Sequence, residues 1–113
     1  MAMQEAIIQR EKIKEMVKLE SGVVFITGSS IGIGRETAYQ FAKNKWKVII
    51  SYYKDEKEAE KTAKKCGELG AKDVLVVALD IKDNKSILNA TKAIIKKFDK
   101  INVLINNAGT IAW

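Results

Sequence analysis

The sequence predicts an α/β fold built on a parallel sheet, and three observations predict it. Short apolar, β-branched runs alternate with longer segments of helical period, the pattern of strands joined by crossover helices. The first run, Val23-Val24-Phe25-Ile26-Thr27, stops at Gly28, and Gly32 and Gly34 follow before a helical segment takes over. The chain has 113 residues, is 47% apolar and 30% charged, and contains no proline, which bounds it to one domain with one modest core.

Taken in order, residues 1–18 are polar, with Ala6, Ile13, Met16 and Val17 at loosely helical spacing. They read as an interaction helix or as an extension that is mobile or packs opportunistically, and the second is expected. Residues 19–113 form the domain. Val23–Thr27 does not alternate, so it is expected to be a strand buried on both faces. Gly32 to about Asn44 has Ala38, Phe41 and Ala42 at helical spacing to face the sheet. Asn44 is expected to close that helix in the left-handed conformation, and Trp46 to be either packed or anomalous. Lys47–Tyr53 is the second strand. Asp55–Leu69 is the second helix, stopped at Gly70, and Asp73–Leu79 the third strand. A third helix over Asp83–Phe98 is capped by Asp83, and Ile101–Ile105 closes the series as a fourth strand. Parallel strands joined in this way imply right-handed crossovers.

Composition excludes several function classes. No histidine is present, which removes histidine catalysis and the commonest zinc ligand. The lone Cys66 cannot form an internal disulfide. The net charge of +6 comes from lysines such as Lys61, Lys64, Lys65, Lys92, Lys96 and Lys97, spread over helical segments and interleaved with acids or apolar residues. They read as solvated helix faces, without the aromatic-interleaved stripe of a nucleic-acid surface. No run has the length of a membrane span and no signal peptide is visible, so no membrane partner and a cytoplasmic location are expected.

The stretch that carries chemistry is the strand–turn–helix from Val23 to Arg35. A tight turn into a helix N-terminus presents backbone N–H groups to a phosphate. Gly28 permits the turn, Gly32 lets a ligand approach the backbone, and Gly34 lets the helix lie close to the strand. Ser29 and Ser30 would add hydroxyl donors, while Ile31 and Ile33 contribute backbone. The plainer alternative is a strand-to-helix turn that binds nothing.

Thr27-Gly28-Ser29-Ser30-Ile31-Gly32-Ile33-Gly34 resembles the TGxxxGxG motif of the short-chain dehydrogenases/reductases. Leu79-Asp80-Ile81 and Asn106-Asn107-Ala108-Gly109 resemble two further motifs of that family at the expected places, and the likeness runs over about residues 18 to 110. The family implies a Rossmann-type sheet, here truncated to four strands in the order 3-2-1-4. It also implies a dinucleotide cofactor and hydride transfer between nicotinamide and a carbonyl or alcohol. On that likeness the pyrophosphate site is Gly28, Ser29, Ser30, Ile31, Gly32, Ile33 and Gly34. Asp80 would accept from the adenine amino group and the backbone of Ile81 would read the ring edge. In that motif the asparagine side chains would tie neighbouring strands together, so Asn107 is a partly structural member of the cofactor site, and the small Ala108 and Gly109 would let the cofactor ribose lie close. Lys45 and Trp46 depart from the family's glycine and alanine before the second strand.

The end of the second strand bears on the cofactor. NAD-preferring members carry an acid there, whereas this chain reads Ser51-Tyr52-Tyr53-Lys54, with Tyr52 in the acid's place. Ser51 and Lys54 are candidates to meet a 2′-phosphate, and NADP is expected over NAD, although Ile31 stands where many NADP-binding members have a basic residue. The family's catalytic serine, tyrosine and lysine lie beyond the NNAG motif, where only Thr110-Ile111-Ala112-Trp113 remain, so no catalytic residue is assigned. Tyr39…Lys43 and Tyr53…Lys57 match YxxxK by chance, being placed before the third strand. The expectation is therefore the cofactor-binding half of an oxidoreductase. The alternatives are a non-catalytic nucleotide-binding or assembly module, and a subunit completed by another chain. A fourth strand left as an apolar edge, with Ile111-Ala112-Trp113 beside it, predicts a homo-oligomer.

Overall fold

A computed structural model describes residues 22–107. The elements are β1 (Val23–Ile26), α1 (Gly32–Lys43), β2 (Lys47–Tyr52), α2 (Glu56–Leu69), β3 (Asp73–Ala78), α3 (Asn84–Phe98) and β4 (Val103–Ile105). The strands form one parallel sheet in the order β3-β2-β1-β4. Residues 1–18, the 111–113 tail, Ala108 and Gly109 lie outside the described residues.

Two apolar layers flank the sheet. On one face Val24, Ile26, Val48 and Ile50 meet Ala38, Phe41, Ala42, Trp46, Ala59 and Cys66, with α1 and α2 as the cover. On the other, Val23, Ile49, Val77 and Leu79 meet Ala90 and Ile94 of α3. The first strand is thus buried from both sides, apart from half-buried Phe25. Burial pushes the Cys66 thiol up to about 12, so it stays neutral well above its ordinary range. Among the described residues no helix is long and apolar enough to cross a membrane.

Two local expectations change. Asn44 keeps φ −100°, and Lys45 takes the left-handed conformation at φ 65°. The Lys45 N–H donates to Ala42 O at 3.0 Å and the Trp46 N–H to Phe41 O at 3.2 Å, a Schellman closure with Lys45 as its left-handed residue. Its accompanying apolar contact is Trp46 edge-on to Phe41, ring centroids 4.9 Å apart. Burying Trp46 against Phe41 fixes where the chain must reverse, and that point is one residue beyond Asn44, whose amide instead donates to Gln40 O at 2.9 Å. The fourth strand is also shorter than expected. Asn102 precedes it and takes over pairing, its N–H donating to Val23 O at 2.9 Å and its Oδ1 accepting the Val23 N–H at 2.8 Å. Asp83 caps α3 as expected, accepting from the Lys85 N–H at 2.9 Å.

Candidate functional site

Because all four strands are parallel, their C-terminal ends meet at one end of the sheet. The strand order reverses direction between β1 and β4, and a crevice at such a switch point is where open α/β sheets bind ligands. The glycine loop after β1, Tyr52 ending β2, Asp80 beyond β3 and Asn107 beyond β4 all lie at that end.

Gly28 turns the chain at φ 62°. Its N–H donates to Ser51 Oγ at 2.9 Å, and the Ser29 N–H donates to Ser51 O at 3.2 Å. The Ser29 hydroxyl donates to Ile26 O at 2.7 Å and accepts the Ser51 N–H at 2.9 Å. These bonds knot the loop to β2. Ser29 is 0% exposed and Ser51 1% exposed, and both hydroxyls are engaged within the protein, where they shape the loop. Their inward pull follows from register: Ser51 pairs beyond Ile50 and Ile26, where the turn brings Gly28 over the sheet end.

Of the next residues Ile31, Gly32 and Ile33 are exposed, while Ser30 and Gly34 are buried. Helix α1 starts at Gly32 with Ile31 in the cap position, no side-chain cap and no acid in its first turn. The backbone N–H groups of Ser30, Ile31, Gly32, Ile33 and Gly34 have no partner among the described residues. Such a helix start is electropositive, and water or an anion must satisfy it. Gly32, at φ 63°, has nothing within 4 Å of where a Cβ would stand, so the loop is open above it. Gly34 is the opposite case: a Cβ there would collide with Gly28 O, and would lie 2.7 Å from Asn107 Nδ2 and 2.9 Å from Ser29 Cα.

Asn107 closes the loop from the β4 side. Its side-chain amide donates to Gly28 O at 3.0 Å and its N–H to Thr27 Oγ1 at 2.9 Å, while Thr27 Oγ1 donates to Asn106 Oδ1 at 3.2 Å. At the end of β2, Tyr52 is half-buried against the α1/α2 layer. Burial first, then Glu56 and Glu60, hold its hydroxyl pKa above the ordinary value. Lys54 is exposed, its Nζ 5.0 Å from the Tyr53 ring centroid, in a groove shared with Asp55, Glu56, Lys57, Glu58 and Glu60. Asp80 is half-buried. Its N–H donates to Ser86 Oγ at 2.8 Å and its Oδ1 accepts the Lys82 N–H at 3.0 Å. Its other carboxylate oxygen has no partner among the described residues, and Ile81 beside it is exposed.

Sequence reading missed a second tier behind the loop. Arg35 Nε donates to Thr62 Oγ1 at 2.8 Å and Arg35 Nη2 pairs with Glu58 Oε2 at 2.7 Å. That guanidinium, with Lys61, holds the Glu58 carboxyl below its ordinary range. A cation in the first turn of a helix opposes the helix dipole, and that anomaly is the signal that could have pointed to a partner for Arg35. Among the described residues no cluster of His, Cys, Asp or Glu could hold a metal ion.

A family model described as short chain dehydrogenase matches residues 22–113. The mouse dehydrogenase/reductase SDR family member 7 is 40% identical over 95 residues, covering 81% of this chain and 28% of that protein. The rat estradiol 17-beta-dehydrogenase 11 is 34% identical over 107 residues, covering 95% of this chain and 35% of that one. Among solved structures, acetoin dehydrogenase from Salmonella typhimurium superposes with a TM-score of 0.72 at 30% identity, over 81% of this chain and 38% of its own. The chain thus spans about a third of the length of the relatives it matches.

Proposed function

The chain belongs to the short-chain dehydrogenase family, and on that footing we propose that it binds the adenosine and pyrophosphate portion of NAD(P) in an oxidoreductase acting between a carbonyl and an alcohol. The observation that carries this reading is the uncapped start of α1. Its N–H groups from Ser30 to Gly34 lack partners and stand under open space at Gly32, which fits an anion held by backbone alone. The nicotinamide, when bound, supplies or receives the hydride.

This chain's residues bind and orient. Gly28, Ser29 and Ser51 set the loop's curvature, and Ile31, Gly32, Ile33 and Gly34 offer the pyrophosphate their N–H groups. Asn107 restrains Gly28 from the β4 side. Asp80 accepts from the adenine amino group through its free oxygen, and the Ile81 backbone meets the ring edge. Ala108 and Gly109 would complete the ribose contact. Tyr39 packs with the α1/α2 layer, and Tyr52 and Tyr53 stand at the end of β2, so no acid–base step is assigned to a described tyrosine.

The preference for NADP rests on Tyr52 in place of an acid and on Lys54. Glu56 and Glu60 near Tyr52 oppose a 2′-phosphate, so the preference is modest, under about tenfold, or about 1.4 kcal/mol. Calorimetric titration of this chain with NADPH and NADH tests it. Micromolar or weaker binding of both is expected, with NADPH tighter. Tyr52→Asp should reverse the order, because a carboxylate accepts from both ribose hydroxyls and repels the extra phosphate. NADH binding clearly tighter to the unmodified chain would overturn the assignment.

The β4 edge supports a homo-oligomer. Its outer backbone groups have no strand beside them among the described residues, and Leu104 is 63% exposed with Ile101 close in sequence. Light scattering should show a dimer or larger species, and Leu104→Lys should shift it toward monomer. A monomer that is indifferent to Leu104→Lys would contradict this.

A further inference from the structure

We propose that Thr62, aligned by Arg35 and Glu58, is a positioning residue for the glycine loop: it aims the loop's N–H groups at the phosphate without touching it. Thr62 lies on the second turn of α2, is fully buried, and belongs to no motif of the loop. Its hydroxyl donates to Ser30 O at 2.8 Å, in the middle of the loop. The same oxygen accepts from Arg35 Nε at 2.8 Å, and Arg35 Nη2 is held in turn by the Glu58 carboxylate at 2.7 Å and the Glu58 carbonyl at 3.2 Å. A hydroxyl has one proton. Glu58 O, 3.0 Å away on the same helix, competes for it, and Ser30 O is the nearer acceptor. With Arg35 donating into the oxygen, the proton given to Ser30 is polarised further.

The consequence follows from peptide geometry. In a trans peptide the C=O and the following N–H point in opposite directions. Fixing Ser30 O toward α2 therefore turns the Ile31 N–H away from α2, to the side where Ile31 is exposed and the N–H finds no partner among the described residues. Without the anchor, rotation of this peptide needs only ψ of Ser30 and φ of Ile31, and no second partner holds Ser30 O or the Ile31 N–H among the described residues. The orientation of an anion donor is thus set from a different element, through one hydroxyl. This rests on the proposed nucleotide reading for its consequence, but the anchoring itself does not depend on a ligand.

The test uses this chain and ¹H–¹⁵N NMR, titrating NADPH and, separately, adenosine, which lacks phosphate. Thr62→Val keeps the shape and removes the hydroxyl, whereas Thr62→Ser keeps it. The expected result is NADPH binding about tenfold weaker in Thr62→Val and within about twofold in Thr62→Ser, with adenosine binding unchanged in both. The unliganded Thr62→Val chain should also show shifted amide resonances and faster exchange at Ser30, Ile31 and Gly32. If Thr62→Val weakens NADPH and adenosine alike, or weakens neither, Thr62 is only a packing residue and the proposal falls. Should the unmodified chain bind no NADPH, the nucleotide reading fails separately. The loop amides then decide the anchor: unchanged resonances and exchange overturn it, and altered ones sustain it. If Thr62→Val does not fold, Arg35→Met, which leaves Thr62 in place but unaligned, should give a smaller loss of NADPH affinity of the same kind, and no loss would overturn the proposal.

Discussion

Gly34→Ala is expected to abolish nucleotide binding and to cost about 3 kcal/mol of folding stability. The added Cβ would meet Gly28 O, Ser29 Cα and the Asn107 amide, and two of these are backbone. Backbone of this kind cannot step aside, because Gly28 is bonded to Ser51 and Asn107 and Ser29 to Ile26 and Ser51. Overpacking at a rigid contact costs about 1–3 kcal/mol, and the Asn107 bond to Gly28 O would be lost as well. Gly67→Ala is the control. Gly67 lies inside α2 with nothing within 4 Å of its Cβ position, so alanine there should be neutral or stabilise by up to about 1 kcal/mol. Urea denaturation of both variants measures the contrast. Equal effects would show that the close approach at Gly34 is not what holds α1 against the loop.

The other large effect is expected at Trp46. This side chain is buried, edge-on to Phe41, and fixes the turn between α1 and β2. Truncation to alanine should cost about 3–5 kcal/mol, the range for deleting a buried aromatic. Trp46→Phe should cost under about 1.5 kcal/mol, for a specific reason. Trp46 Nε1 is buried with no hydrogen-bond partner among the described residues, so phenylalanine forfeits no hydrogen bond and relieves an unsatisfied donor. Denaturation midpoints of the two variants decide the point. A phenylalanine variant as unstable as the alanine one would mean that the indole N–H has a partner and carries the site.

The element order was legible because the chain's two periods differ cleanly: continuous β-branched runs against segments such as Ala38, Phe41, Ala42 at helical spacing. The glycine loop was legible for a similar reason, since few functions other than turning, close approach and close packing require glycine at three such positions. What stayed hidden were side-chain directions. Ser51 sits in a strand without alternation, so nothing in Lys47–Tyr52 says which face its hydroxyl takes, and the sheet turns it toward Gly28. Thr62 reads as one more polar residue in a lysine-rich helix, and only the packing of α2 beside the loop reveals its bond to Ser30. At Asn44 and Lys45 local propensity favoured asparagine for positive φ, and the burial of Trp46 one residue later overrode it.

Whether the loop from Gly28 to Gly34 holds the cofactor's pyrophosphate is decided by mapping amide shifts on this chain during titration with NADPH. The largest shifts are expected at Ile31, Gly32, Ile33 and Gly34, with smaller ones at Tyr52 and Ile81. The opposite end of the sheet offers a rival, a groove lined by Lys47, Lys72 and Lys100 beside Phe98. Shifts centred on that groove, with the loop amides unmoved, would show that the dinucleotide is attracted by charge alone and that the glycine loop does not hold its pyrophosphate.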